Sequence, residues 1–211
     1  MPIPTPSAVP EPLSHPLARR WWRSPDGALA VVIGVSMALR LAWVSVEPLS
    51  LDEGYHYLYT VHPSPSYFDH PPMMMPLTAA GLALCGGAVN FFSLRLGFVL
   101  LSVVMSWVLG RWTARLFGGM SGVYAALWWN LAPFFSLSAG GQVGPDGPFL
   151  FFALLTVIAL HRAVVENPGR SRPWVWVGLA WGLALLSKYI AIFLPAGVLL
   201  YILLTPSARR L

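Results

Sequence analysis

A single cysteine, Cys85, occurs in 211 residues, so no intrachain disulfide can form and cysteine usage says nothing about compartment. Charge is scarce too: 10% of the residues are Asp, Glu, Lys or Arg, against about a quarter in an ordinary soluble domain. Water is therefore not the main solvent of this chain. The formal charge of +5 does not mark a nucleic-acid binder, because the arginines sit in short clusters between apolar runs rather than along one polar face. No nucleic-acid partner is expected. A cleavable signal peptide is also excluded: the apolar run after Arg19, Arg20 and Arg23 has 20 residues, Gly27 to Val46, whereas a signal core has about 7 to 15.

Apolar residues make up 56% of the chain, with 11 Phe and 10 Trp, and they collect in runs suited to a hydrocarbon core about 30 Å thick. The fold class this implies is all-α, a polytopic transmembrane helical bundle. The expected spans are 27–46, 94–110, 118–136, 149–165, 174–186 and 190–204, about six in all. Residues 1–24, rich in Pro and Ser, read as a disordered cytoplasmic tail, 25–206 as the transmembrane domain and 207–211 as a cytoplasmic end.

The stretch from Pro71 to Cys85 decides the topology. Its 15 residues would reach about 22 Å as a helix, short of a full crossing, and it opens on Pro71-Pro72 and closes on Gly86-Gly87. A short amphipathic or re-entrant helix at the interface is expected there. Charge counting agrees. If the stretch does not span, Arg19, Arg20, Arg23, Arg111, Arg115, Arg162, Arg170, Arg172, Arg209 and Arg210 lie inside, ten cations against three, namely Arg40, Arg95 and Lys188. If it does span, the split becomes five against eight. The first arrangement obeys the positive-inside rule and puts the N-terminus in the cytoplasm. It also places five of the eight acids, Glu47, Asp52, Glu53, Asp69 and Asp146, outside with His56, His62 and His70. The last apolar run, 174–204, reads as a hairpin turning at Ser187-Lys188, since one helix of 31 residues would bury Lys188 at a cost of about 2.5–3.5 kcal/mol.

Candidate chemistry follows from the outer residues. Asp52 and Glu53, just past the first span, are suited to general-base work or to a divalent cation, but equally to a helix N-terminus, where acids meet the macrodipole. Asp69 and His70 precede Pro71-Pro72; the imidazole can meet a phosphate or shuttle a proton, or rest solvated beside an aromatic belt of Tyr67 and Phe68. Arg95 and Lys188 are suited to an anionic headgroup, with snorkelling as the plainer alternative. Asp146 can cap the fourth span or join the same site. Arg40 pairs within the bundle or snorkels. If the site takes a divalent metal, Asp52 and Asp146 are its ligands; no cofactor is required by the residues.

Five elements in this order resemble the GT-C superfamily of membrane glycosyltransferases, in particular the protein O-mannosyltransferases and lipid A aminoarabinose transferases. They are Leu51-Asp52-Glu53, Tyr67-Phe68-Asp69-His70-Pro71-Pro72, Leu94-Arg95-Leu96, Pro145-Asp146 and Leu185-Leu186-Ser187-Lys188-Tyr189, across about Leu41 to Leu204. The resemblance implies a polyprenyl-phosphate-linked sugar donor, an acceptor lipid, glycan or protein, and transfer with inversion on the extracytoplasmic side of the plasma (inner) membrane. It implies Asp52 as base or acceptor-orienting acid with Glu53 beside it. It implies Arg95 and Lys188 on the lipid phosphate, with Asp146 completing the site. His70 stands where the aminoarabinose transferases carry Lys. Such proteins run through further spans, so this chain corresponds to their N-terminal part, as a fragment, a split gene product or a degenerate copy. Two other functions compete: a transporter component, which calls for inverted repeats that the halves do not display, and a non-catalytic lipid-carrier-binding subunit, which would tolerate Asp52→Asn.

Overall fold

The computed structural model describes residues 24–204. The expected tail, 1–24, has only Ser24 among them, and the expected end, 207–211, lies outside them. The described chain is helical throughout, without strands, as a membrane protein requires when backbone N–H and C=O groups must be satisfied within the segment.

Helix α1, Pro25–Val46, starts where Ser24 accepts from Gly27 N and Pro25 takes the first turn, a position that needs no N–H. Its 22 residues reach about 33 Å. Two short helices follow, α2 Leu51–Val61 and α3 Met74–Leu84, then the longest, α4 Phe91–Phe117. Gly118, at φ 97° in the left-handed region, ends α4 and sets off α5, Gly119–Leu131. Pro133 stops α5, and the chain continues through a π turn, Phe134–Ser138, and α6, Ala139–Gly141. Helix α7, Asp146–His161, runs on as a π turn to Glu166. After a turn come α8, Arg172–Leu185, a 3-10 turn at Tyr189–Ile192 and α9, Phe193–Leu204.

Three of these, α1, α4 and the run Asp146–Glu166, are long and apolar enough to cross a membrane. The other expected crossings are shorter, at 13 residues in α5, 14 in α8 and 12 in α9. Two of these are cut by specific residues, α5 by Pro133 and α8 by the turn at Ser187-Lys188. The single 31-residue helix is excluded, because Lys188 is extended (φ −155°, ψ 133°) and Trp181 Nε1 donates back to Ala191 O at 2.9 Å.

Helix α4 is the axis of the bundle. Half of its apolar window is buried, against 17% for α1. Its contacts are made close by glycine. A Cβ on Gly97 would overlap the Leu77 carbonyl of α3, one on Gly81 the Ser93 carbonyl of α4, and one on Gly122 the Gly110 carbonyl across the α4–α5 pair. The lateral surface is apolar, with Leu39, Trp107, Trp128 and Trp176 all exposed, as for helices facing lipid.

Helix α3 does not carry the chain across. Glu53, before it, pairs with Arg95, after it, and Met73 N donates to Leu186 O at 3.0 Å, so both flanks lie at one end of the bundle. Of the two expected readings, amphipathic or re-entrant, the second fits: α3 is apolar on all sides, and its one polar side chain, Thr78, donates back to Met74 O. The Asp52 end thus gathers α2, the start of α4, the start of α7 and the end of α8. The opposite end carries Arg111, Arg115, Arg162, Arg170 and Arg172, with Asp26 on Arg111 and Glu166 on Arg115.

Candidate active site

The Asp52 end is organised by α2. Ser50 and Glu53 form a reciprocal capping box, Ser50 Oγ accepting from Glu53 N at 3.2 Å and Glu53 Oε2 from Ser50 N at 3.0 Å. That box turns Glu53 into the bundle. Successive helical residues lie about 100° apart, so Asp52 must then face away, and it is exposed with no hydrogen-bond or ion-pair partner among the described residues. Two adjacent carboxylates receive opposite environments from one cap.

Glu53 meets Arg95 in a two-pronged pair, Nε to Oε1 and Nη2 to Oε2, both at 2.6 Å. Arg95 also donates to Glu47 O at 2.7 Å and Pro48 O at 3.0 Å, and it lies 5.2 Å from the Trp43 ring. Its side chain is 0% exposed. Four of its five N–H groups are thus engaged inside the protein, whereas the expected phosphate role calls for open ones. Glu53, the expected companion of Asp52, is buried in the same pair. Burial pushes its carboxyl up, but the Arg95 hydrogen bonds, the Ser50 and Val143 N–H groups and the Arg95 charge outweigh that and hold it below its usual value of 4.5.

Val143 links this pair to the rest of the end. Its N–H donates to Glu53 Oε1 at 3.0 Å, and its carbonyl lies 2.9 Å from His56 Nδ1. Because a carbonyl only accepts, Nδ1 carries the proton and a neutral His56 keeps its lone pair on Nε2. His56 is buried one turn beyond Glu53, and its ring centre is 5.3 Å from that of His70. Sequence reading had placed His56 on this side without a role. The signal was present in the spacing, since Glu53 and His56 share a helix face at i, i+3 and Asp52 and His56 at i, i+4.

His70 is half-buried. Its imidazole is held below the usual 6.5 by burial, then by repulsion from His56 when both rings are protonated and from Lys188, with Asp69 and Asp146 acting the other way. Lys188 Nζ lies 2.6 Å from Asp146 Oδ1, with side chains 32% and 24% exposed. The structure thus brings His56, His70, Asp146 and Lys188 into one cluster. Asp146 is the first residue of α7 and makes no capping bond, so the capping alternative gives way to the Lys188 pair.

Asp69 stands at the margin. It is exposed and accepts from Tyr55 Oη at 2.7 Å; the Tyr55 hydroxyl is pushed up by its contacts with Tyr59 and Asp69. Tyr67 is more than an interfacial aromatic: it stacks on Tyr59 with ring centres 3.7 Å apart, and its hydroxyl lies 2.8 Å from the carbonyls of Tyr59 and His62. Phe68, 98% exposed, remains suited to the headgroup level. Arg40 finds no acid among the described residues. It is buried, donating to Ser136 O and Asn130 Oδ1, with Nη2 unpartnered. Among the described residues no group of three or more His, Cys, Asp or Glu gathers to hold a metal ion, so Asp52 and Asp146 do not form a ready-made cage.

Chemically, the cluster offers a movable cation, Lys188, a carboxylate that can hold or release it, and two imidazoles beside it. The exposed Asp52 carboxylate lies one turn from His56. The family described as dolichyl-phosphate-mannose-protein mannosyltransferase matches residues 69–211. That range includes His70, Asp146 and Lys188 and begins after Asp52. No curated protein and no solved structure matches the chain.

Proposed function

We propose that this chain, which belongs to the dolichyl-phosphate-mannose-protein mannosyltransferase family of membrane glycosyltransferases, moves a sugar from a polyprenyl-phosphate donor to an acceptor at its Asp52 end. We place that end outside the cytoplasm, with the N-terminus inside, in the plasma (inner) membrane. The clustered arginines at the opposite end support this orientation. The observation that carries the reading is the part-exposed Lys188–Asp146 pair beside His56 and His70.

A lipid phosphate leaving from an anomeric carbon needs charge stabilisation and alignment more than covalent help. Lys188 supplies it. Held by Asp146 at rest, its ammonium can turn to the phosphate oxygens, because a part-exposed pair is a weak one. His70, kept neutral, can donate or accept a hydrogen bond there without adding charge. The acceptor hydroxyl attacks the anomeric carbon from the face opposite the phosphate. The new C–O bond forms as the C–O bond to phosphate breaks, the acceptor proton passes to the Asp52 carboxylate, and polyprenyl phosphate departs. Glu53 and Arg95 take no part in bond changes; they hold α2 so that Asp52 faces outward. Asp69, tied to Tyr55, positions the loop that carries His70.

The test is transfer from a radiolabelled polyprenyl-phosphate sugar by membranes containing the full chain. Asp52→Asn should lower transfer by about 10²- to 10⁴-fold, the usual size of a general-base contribution, with unchanged thermal unfolding. Unchanged transfer would remove Asp52 as the base, and wild-type membranes that transfer nothing would remove the activity.

A further inference from the structure

At the end of the bundle remote from Asp52, α7 and α8 line an open cleft of about 540 Å³. Leu155 and Ile158 of α7 and Leu179 and Leu183 of α8 wall it, and Arg162, Arg170 and Arg172 stand at its mouth. The three arginines are exposed. Asp26 and Glu166 are the acids described at this end. Asp26 is taken by Arg111, and Glu166 by Arg115 at 2.9 Å, with His161 at 3.4 Å. What is left over is a cluster of three cations with no carboxylate, opening onto an apolar cleft.

We propose that this cleft binds an anionic phospholipid, its phosphate on the three arginines and an acyl chain lying between α7 and α8. Charge complementarity fixes the headgroup, since basic pockets at helix ends select acidic lipids. The apolar walls fix the source of the phosphate. Leu155 lies seven residues from Arg162, about 10 Å along α7, a depth that free phosphate would leave empty and a hydrocarbon chain fills. This is not the donor's place in the transfer reaction: Asp146 and Arg162 are 16 residues apart on one continuous helix, about 24 Å. The inference therefore does not rest on the catalytic reading and survives or fails separately from it.

The full chain, purified in a neutral maltoside, is incubated with equal phosphatidylglycerol and phosphatidylcholine, and retained lipid is counted by native mass spectrometry. Wild type should retain phosphatidylglycerol with a preference of about tenfold or more, taking each arginine's attraction as additive. The variant R162Q/R170Q/R172Q should fall to near parity, with unchanged thermal unfolding in phosphatidylcholine. Should the triple variant unfold, the exposed single variants Arg170→Gln and Arg172→Gln decide, each expected to lose preference several-fold, while Arg111→Gln, whose partner is Asp26, should lose none. Parity in wild type, full preference in the variants, or an equal loss in Arg111→Gln overturns the proposal. Displacement of phosphatidylglycerol by excess inorganic phosphate overturns the lipid assignment in favour of a soluble anion.

Discussion

The Asp52 end holds two cation–carboxylate pairs of equal length, Arg95–Glu53 and Lys188–Asp146, both closed at 2.6 Å. Their surroundings differ. Arg95 and Glu53 are 0% and 2% exposed, two-pronged and bound further to Glu47, Pro48 and Val143 carbonyl and amide groups, whereas Lys188 and Asp146 are 32% and 24% exposed and joined at one oxygen. A buried pair held by this many bonds cannot be opened without stranding a charge, so it serves as architecture. A part-exposed, single-pronged pair can exchange its partner at little cost, so it is free to meet a ligand. Contact distance alone would have classed the two together; the number of bonds and the burial separate them.

The largest effect that would break this contrast is at Arg95. Arg95→Leu leaves Glu53 buried and unpaired and should cost about 3–5 kcal/mol of stability, read as a fall in thermal unfolding temperature in detergent. The double variant Arg95→Leu/Glu53→Leu should recover part of it, and a single variant as stable as wild type would end the architectural role. Lys188→Met should do the reverse, lowering transfer by about 10²- to 10³-fold while changing stability by less than about 1 kcal/mol. A Lys188 variant that unfolds instead would place both pairs in one class. Gly97→Ala asks how firmly the frame is held. Its Cβ has no room against the Leu77 carbonyl, and separating α3 from α4 should cost about 1–3 kcal/mol, with transfer falling as His70 shifts.

The smallest effect is in pH. Glu53 and His70 both have folded values below their ordinary ones, 4.5 and 6.5. In each case the unfolded chain takes up the proton first as pH falls, so stability present above the ordinary value is lost between it and the lower folded value. Thermal unfolding followed downward in pH should therefore decline in two windows, the first below 6.5 and the second below 4.5. His70→Asn should remove the first and keep the second. Persistence of the first window in that variant would show that His70 is not the group responsible.

Much of the fold was legible in the chain. The apolar runs marked the long helices, the Pro71-Pro72 and Gly86-Gly87 brackets marked α3 as too short to cross, and Lys188 marked the break after α8. The family match, over residues 69–211, bears out the resemblance, and His70 lies beside the Asp146–Lys188 pair. What Arg95 and Glu53 face was not legible, because an outward-side arginine near acids looks the same in sequence whether it faces a ligand or a buried carboxylate. Arg40 was undecidable for a similar reason, since its partners, Asn130 and the Ser136 carbonyl, are about 90 residues away.

By itself the sequence determined that the chain is an all-helical membrane protein with acids and imidazoles at one end and arginines at the other, because hydropathy and charge act locally on where each segment rests. Which carboxylate is sealed and which is open was decided only in the folded chain. Burial depends on what α4, α7 and the Val143 peptide bring against α2, and that packing is a property of residues distant in sequence and adjacent in space.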